Sequence, residues 1–207
     1  MRYSFIAIEG NIGAGKTTLA SRLASYYNAQ LVLEEFEDNP FLPKFYKDPK
    51  KYALALELSF IEARFKQLRE ALSRKDRLII SDYFFNKSLV FARANLQGSE
   101  LDIFTGSYTM MEWQLPRPDL LVFLYPNTEK LQENIRKRGR EYEKDIPSDY
   151  LQRIQQGYLD YLEHQKEVPV LFLDLQSTRY IQSLEDFAYL DRLLNKEHKT
   201  GVTRVAV

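Results

Sequence analysis

The chain has 207 residues, 44% of them apolar, enough material for one α/β domain with a sizeable core. Its 29 lysines and arginines balance 29 aspartates and glutamates, so no overall field draws it to polymeric nucleic acid or an acidic membrane, and any basic function must be local. The absence of cysteine excludes thiol nucleophiles, disulfides and thiolate zinc sites, and the two histidines, His164 and His198, read in separate helices.

Taken in chain order, the apolar run Tyr3 to Ile8 reads as a first strand, too short for a signal peptide and followed at once by a glycine-rich turn. Thr17 to Tyr27 reads as a helix and Gln30 to Leu33 as a second strand. Asn39-Pro40 and Asp48-Pro49 then frame a connection into a long amphipathic helix over Pro49 to Ser73. Further strands are expected at Arg77 to Ile80, Leu120 to Tyr125 and Val170 to Leu175, with helices at Glu129 to Lys137, Pro147 to Lys166 and Leu184 to Lys196. The run at Leu120 is far below the roughly 20 residues that a membrane helix needs, so the chain is expected in the cytoplasm and away from membranes. Strands alternating with helices predict a five-stranded parallel sheet flanked by helices on both faces, with residues 1–207 as one domain.

The turn after the first strand, Gly10-Asn11-Ile12-Gly13-Ala14-Gly15-Lys16-Thr17, matches G-x-x-x-x-G-K-[ST] in its required strand-to-helix context. Such a loop aims backbone N–H groups and a helix N-terminus at phosphates, with Lys16 reaching the outer oxygens and Thr17, next to Thr18, able to hold Mg²⁺. The expected ligand is therefore a nucleoside triphosphate with Mg²⁺. The metal needs an acid at another strand end. Leu78-Ile79-Ile80-Ser81-Asp82 puts Asp82 there, unless that residue caps the next helix. After the fourth strand, Arg136-Lys137-Arg138-Gly139-Arg140 packs four cations into five positions. The cluster suits either a basic lid closing on triphosphate or an ordinary basic helix end.

In these residues and their order the chain resembles the deoxynucleoside kinase family of the P-loop kinase fold. The resemblance rests on Gly10 to Thr18, on Arg138-Gly139-Arg140-Glu141-Tyr142-Glu143, and on Ile146-Pro147 with Tyr150-Leu151. It implies γ-phosphoryl transfer from ATP to the 5′-hydroxyl of a deoxynucleoside, in a homodimer to which the stretch from Tyr108 to Trp113 contributes. Lys16, Arg138 and Arg140 would stabilise the transferring charge, and Arg136 would meet a phosphate or stack on adenine. The carboxylate that accepts the 5′-hydroxyl proton falls in Leu33-Glu34-Glu35-Phe36-Glu37-Asp38-Asn39; alignment favours Glu34, although chemistry suits Glu35 equally. Tyr46 and Glu143 match the residues that read the sugar 3′-hydroxyl, with core filling as the alternative for Tyr46.

On the long helix Leu54, Glu57, Ile61 and Arg64 share one face, expected to meet the base. Glu57 stands where the family usually carries glutamine. Ionised, it only accepts, which suits guanine N1–H and N2–H and tilts the preference towards purines; alternatively it pairs with Arg64 or Lys50.

Three further positions depart from the family pattern. Tyr83, assigned to the substrate side, replaces an arginine; Ser88 replaces an aspartate expected near Arg64; and Asn134 replaces an arginine before the lid. They leave the phosphate site intact and reshape the acceptor side. The competing readings are a nucleoside-monophosphate kinase, which Tyr83 in place of a cation counts against, and a non-catalytic nucleotide-binding switch, which the lost arginine keeps open.

Overall fold

A computed structural model describes residues 2–36, 38–73, 77–175 and 184–206, so Glu37 of the acidic segment lies outside the described residues. Six parallel strands form one sheet in the order β2-β3-β1-β4-β5-β6. They are β1 (Phe5–Gly10), β2 (Gln30–Val32), β3 (Ile79–Ser81), β4 (Leu120–Tyr125), β5 (Pro169–Asp174) and β6 (Gly201–Ala206). The expected count of five is corrected by β6, which pairs with β5 from Pro169↔Gly201 to Asp174↔Ala206. This edge strand keeps most side chains exposed and mixes Thr203 and Arg204 with its valines, so it lacks the continuous apolar run that marks a strand buried on both faces.

The central strands carry that run. Ile6, Ala7 and Ile8 of β1 and Leu120, Val122 and Leu124 of β4 are at most 1% exposed, and Ile8 lies in register with Val122. Helices cover the sheet: α1 (Lys16–Tyr27), α2 (Leu42–Lys47), α3 (Pro49–Ala71), α4 (Lys87–Asn95), α5 (Gly98–Glu112), α6 (Thr128–Arg138), α7 (Ser148–Glu163) and α8 (Leu184–Leu194). The expected helices are present with ends moved by at most three residues; α2, α4 and α5 were not anticipated. Asp48 starts α3 by accepting from Lys51 N at 3.3 Å, with Pro49 in its first turn. Gly139, at φ 73°, ends α6. His164 caps α7, whereas His198 lies in the connection between α8 and β6 rather than in a helix.

This topology puts the C-terminal ends of β1, β2 and β3 side by side, the place where parallel sheets expose functional loops. The helices α3, α4 and α7 enclose the space above them.

Candidate active site

At the end of β1 the backbone turns through Gly10, Gly13 and Gly15, all with positive φ. Gly13, at φ 80°, lies so close to α6 that a Cβ would sit 2.7 Å from the Leu131 carbonyl oxygen. Asn134 of α6 donates to the Gly13 carbonyl at 2.8 Å, so the residue at the missing-arginine position braces the loop. Asn11 fixes its other side: its amide donates to Leu151 O at 2.7 Å and to Gln155 Oε1 at 3.0 Å, both on α7, and its Oδ1 accepts from Ile12 N. Glu9, 1% exposed, accepts from Gly10 N, Phe84 N and the Tyr158 hydroxyl, each at 2.9 Å. Lys16 Nζ is held at 2.9 Å by both Gly10 O and Asn11 O. Burial, with the nearby Lys87 charge, lowers its pKa to about 8. Ala14 is fully buried beneath the turn, while Thr17 and Thr18 open the first turn of α1 at the surface.

Asp82 does not cap a helix, since α4 begins at Lys87 after Asn86. Its Oδ2 accepts from Thr17 Oγ1 at 2.6 Å and its Oδ1 from Glu34 N at 2.7 Å. One hydroxyl and one carboxylate form a sparse, hard oxygen set. It fits Mg²⁺, which keeps waters and takes phosphate oxygens, better than a cation needing an all-protein cage. Consistently, no three His, Cys, Asp or Glu converge on a metal-sized site among the described residues.

On the acceptor side the central group is Glu34, just past β2. Its Oε1 accepts from Arg64 Nε at 2.8 Å, with the Arg64 NH2 group at 2.6 Å, and its Oε2 lies 2.6 Å from Lys87 Nζ. Burial pushes the Glu34 pKa up, but Lys87 and Arg64 outweigh it and hold the carboxyl well below the usual range. Glu35, the chemical alternative, turns outward to Gln67 at 3.1 Å. Arg64 pairs with Glu34 rather than Glu57, and its NH1 donates to Ser88 Oγ at 2.8 Å, so serine satisfies the guanidinium where an aspartate was expected.

Tyr83 is not part of this cluster. It is fully buried, and its hydroxyl donates to Gln67 at 2.5 Å. A buried cation that does reach Glu34 is Lys87, 6% exposed in the first turn of α4, a residue the sequence reading missed. A signal was present, because a lysine at a helix N-terminus opposes the helix dipole and needs a reason to be there.

The lid is the end of α6 and the 3₁₀ turn Glu141–Glu143. Glu143, 5% exposed, binds Arg138 through Oε2 and Arg140 through Oε1 at 3.3 Å, and the Arg140 guanidinium lies 3.9 Å over the Phe36 ring. Arg136 is exposed on the last turn of α6, apart from this group. Tyr46 stacks on Tyr142 with centroids 6.0 Å apart; burial, with Tyr150 and Glu143 nearby, raises its phenol pKa. Lys16, Glu34, Tyr46, Glu57, Arg138 and Glu143 line one chamber. Its inner wall holds Glu57, 2% exposed, whose Oε1 accepts from Asn95 Nδ2 at 2.8 Å. Asn95, at the last turn of α4, was also missed. A hollow of about 920 Å³ shares Thr17, Glu34, Phe36, Asp82 and Arg140 with the chamber, and another of about 650 Å³ shares Phe45, Tyr46, Asn95 and Tyr150.

The cluster is thus a phosphate loop facing a carboxylate held by two cations, under an arginine-bearing lid. The deoxynucleoside kinase family model matches residues 6–197, and the chain belongs to that family. It is a deoxynucleoside kinase. Deoxyguanosine kinase of Bacillus subtilis (strain 168) is 35% identical over 190 residues, 88% of this chain and 92% of its own. Deoxyadenosine kinase of Dictyostelium discoideum is 36% identical over 172 residues, 80% and 70% of the two chains. Among solved structures, deoxyadenosine kinase from M. mycoides with bound dATP superposes with a TM-score of 0.80 at 24% identity, covering 93% of this chain and 100% of that one, which supports the fold.

Proposed function

We propose that the enzyme transfers the γ-phosphoryl group of ATP to the 5′-hydroxyl of a purine deoxynucleoside, deoxyguanosine or deoxyadenosine. The observation that carries this reading is Glu34 held between Lys87 and Arg64 in the chamber that also contains Lys16. Glu34 accepts the hydrogen bond of the 5′-hydroxyl and takes its proton as the new P–O bond forms, and its two cations keep it ionised at neutral pH. Lys16, Arg138 and Arg140 neutralise charge on the transferring group, for which positioning matters more than covalent chemistry. Thr17 and Asp82 would hold Mg²⁺, which would offset the negative charge of the phosphates. Tyr46 and Glu143 orient the sugar, and Glu57 reads the base. Arg64 and Lys87 are both engaged by the Glu34 carboxylate rather than left for an acceptor phosphate, and this favours the nucleoside kinase over a monophosphate kinase. The whole of residues 1–207 serves this one site, and the cytoplasm is the compartment that the reaction implies.

A coupled ADP-release assay across the natural deoxynucleosides and ribonucleosides tests the reading. Turnover is expected with deoxyguanosine and deoxyadenosine, reduced by roughly 10²-fold or more in Glu34→Gln. No turnover with any deoxynucleoside, or turnover appearing only when nucleoside monophosphates are added to the panel, would overturn it.

We also propose that the enzyme is a homodimer. Tyr108, expected at such a surface, is instead buried against Phe85, with rings 5.6 Å apart at 10°. Ile103 and Met110 of α5 and Trp113 just past its end are 56%, 72% and 85% exposed along one face, and between them a Cβ on Gly106 would meet nothing within 4 Å. Trp113→Glu combined with Met110→Glu is expected to convert a dimer into a monomer by sedimentation velocity without changing helix content.

A further inference from the structure

Among the described residues, one buried side-chain polar atom lacks a hydrogen-bond partner: Glu57 Oε2, on the inner wall of the chamber. Its sister atom Oε1 is held by Asn95 Nδ2 at 2.8 Å, which fixes the rotation of the carboxyl group and leaves Oε2 as its open position. An open, buried carboxyl oxygen calls for a ligand, because leaving it without a partner costs on the order of 1–3 kcal/mol. We infer that Glu57 and Asn95 form a base reader whose open oxygen changes sign with its proton. Ionised, Oε2 accepts N1–H or N2–H of guanine; protonated, it donates to N1 of adenine, so base preference shifts with pH. The inference rests on the deoxynucleoside kinase reading and deepens it.

The surroundings of Glu57 put this proton within reach. Burial raises its pKa to about 7, against the lowering effects of Arg64, the Asn95 hydrogen bond and Lys87, with Glu34 adding a smaller rise. These groups come from every side: Arg64 from the same helix, Lys87 and Asn95 from α4, Glu34 from the end of β2, and Tyr150 from α7, itself hydrogen-bonded to Asn95. Arg64 and Lys87 are engaged by Glu34, which limits their hold on the Glu57 charge. Because the folded pKa is raised, the proton is carried below neutrality and lost above it. Glutamine, which offers a fixed donor and a fixed acceptor, has no such change.

The test compares kcat/KM for deoxyguanosine and deoxyadenosine, with ATP saturating, from about pH 6 to about pH 8. Lys16, Glu34 and the lid serve both acceptors, so their titration cancels from the ratio. The deoxyguanosine-to-deoxyadenosine ratio is expected to rise by at least about tenfold over this range in the wild type and to be flat in Glu57→Gln. Asn95→Ala removes the donor that favours the ionised form and is expected to move the midpoint of the ratio curve to higher pH, a shift that a merely structural residue would not produce. A flat wild-type ratio, or the same slope in Glu57→Gln, overturns the inference while leaving the kinase reading intact. No turnover of any deoxynucleoside at any pH overturns both.

Discussion

Lys87→Ala is expected to lower kcat for deoxynucleoside phosphorylation by roughly two to three orders of magnitude, the range found when one preorganised donor is removed from a reacting centre. Lys87 Nζ lies 2.6 Å from the Glu34 carboxylate, 6% exposed and beside Lys16, so its charge acts where the 5′-oxygen and the phosphoryl group must meet. The KM for ATP is expected to change by less than about threefold, because Lys87 does not belong to the loop that cradles the phosphates. Arg64 still holds Oε1 of Glu34, so the variant should fold, with lower thermal stability from the lost half of a buried ion cluster. Losing one of the two cations also lets the Glu34 pKa climb towards the ordinary carboxylate value, which brings an acid limb into the pH–rate profile. Steady-state kinetics of Lys87→Ala and Lys87→Arg from acid to neutral pH check these points. Unchanged kcat in Lys87→Ala would remove Lys87 from the chemistry.

Gly13→Ala is expected to weaken ATP binding by roughly 10²-fold or more, as ångström-scale misplacement of positioning groups does. Two costs combine. A non-glycine residue at φ 80° is strained by about 1–2 kcal/mol, and its methyl group would stand 2.7 Å from a backbone carbonyl and 3.0 Å from Ile135 Cγ1. Backbone cannot turn aside as a flexible side chain would, so α6 must back away and the Asn134 bond to Gly13 O is lost. The lid arginines at the end of α6 then move with it. Isothermal titration with an ATP analogue, alongside Gly139→Ala, separates loop from lid: Gly139 has open space around it and should show only the strain of its φ of 73°.

The parts of this site that sequence reveals are those encoded over short stretches. Gly10 to Thr17 is a contiguous loop, Asp82 directly follows a strand, and Arg138 to Glu143 form one turn, so spacing alone carries them. The acceptor cluster is assembled differently. Lys87 is 53 residues from Glu34, and Asn95 is 38 residues from Glu57; α4 brings both together, Asn95 by packing on α3 and Lys87 by reaching the end of β2. Position in the motif points to Tyr83, whose hydroxyl is turned to Gln67, whereas Lys87 reaches Glu34 from the next helix. The unanticipated helix α4 belongs to the same gap, because its core-facing Val90 and Ala92 share the inward side with buried Lys87 and Ser88; α5 buries Phe104 and Tyr108, too few to leave a periodic apolar signature. Strand β6 escaped for a like reason: too little of it is buried to leave an apolar signature.

Glu9 has a mechanical consequence. Its two carboxyl oxygens gather donors from the phosphate loop, from the segment after β3 and from α7, so three walls of the chamber share one pin. None of these walls can swing without breaking a buried hydrogen bond, which makes them the fixed jaw of the enzyme. Motion during a catalytic cycle is then left to the opposite jaw, the arginine-bearing end of α6 with its 3₁₀ turn.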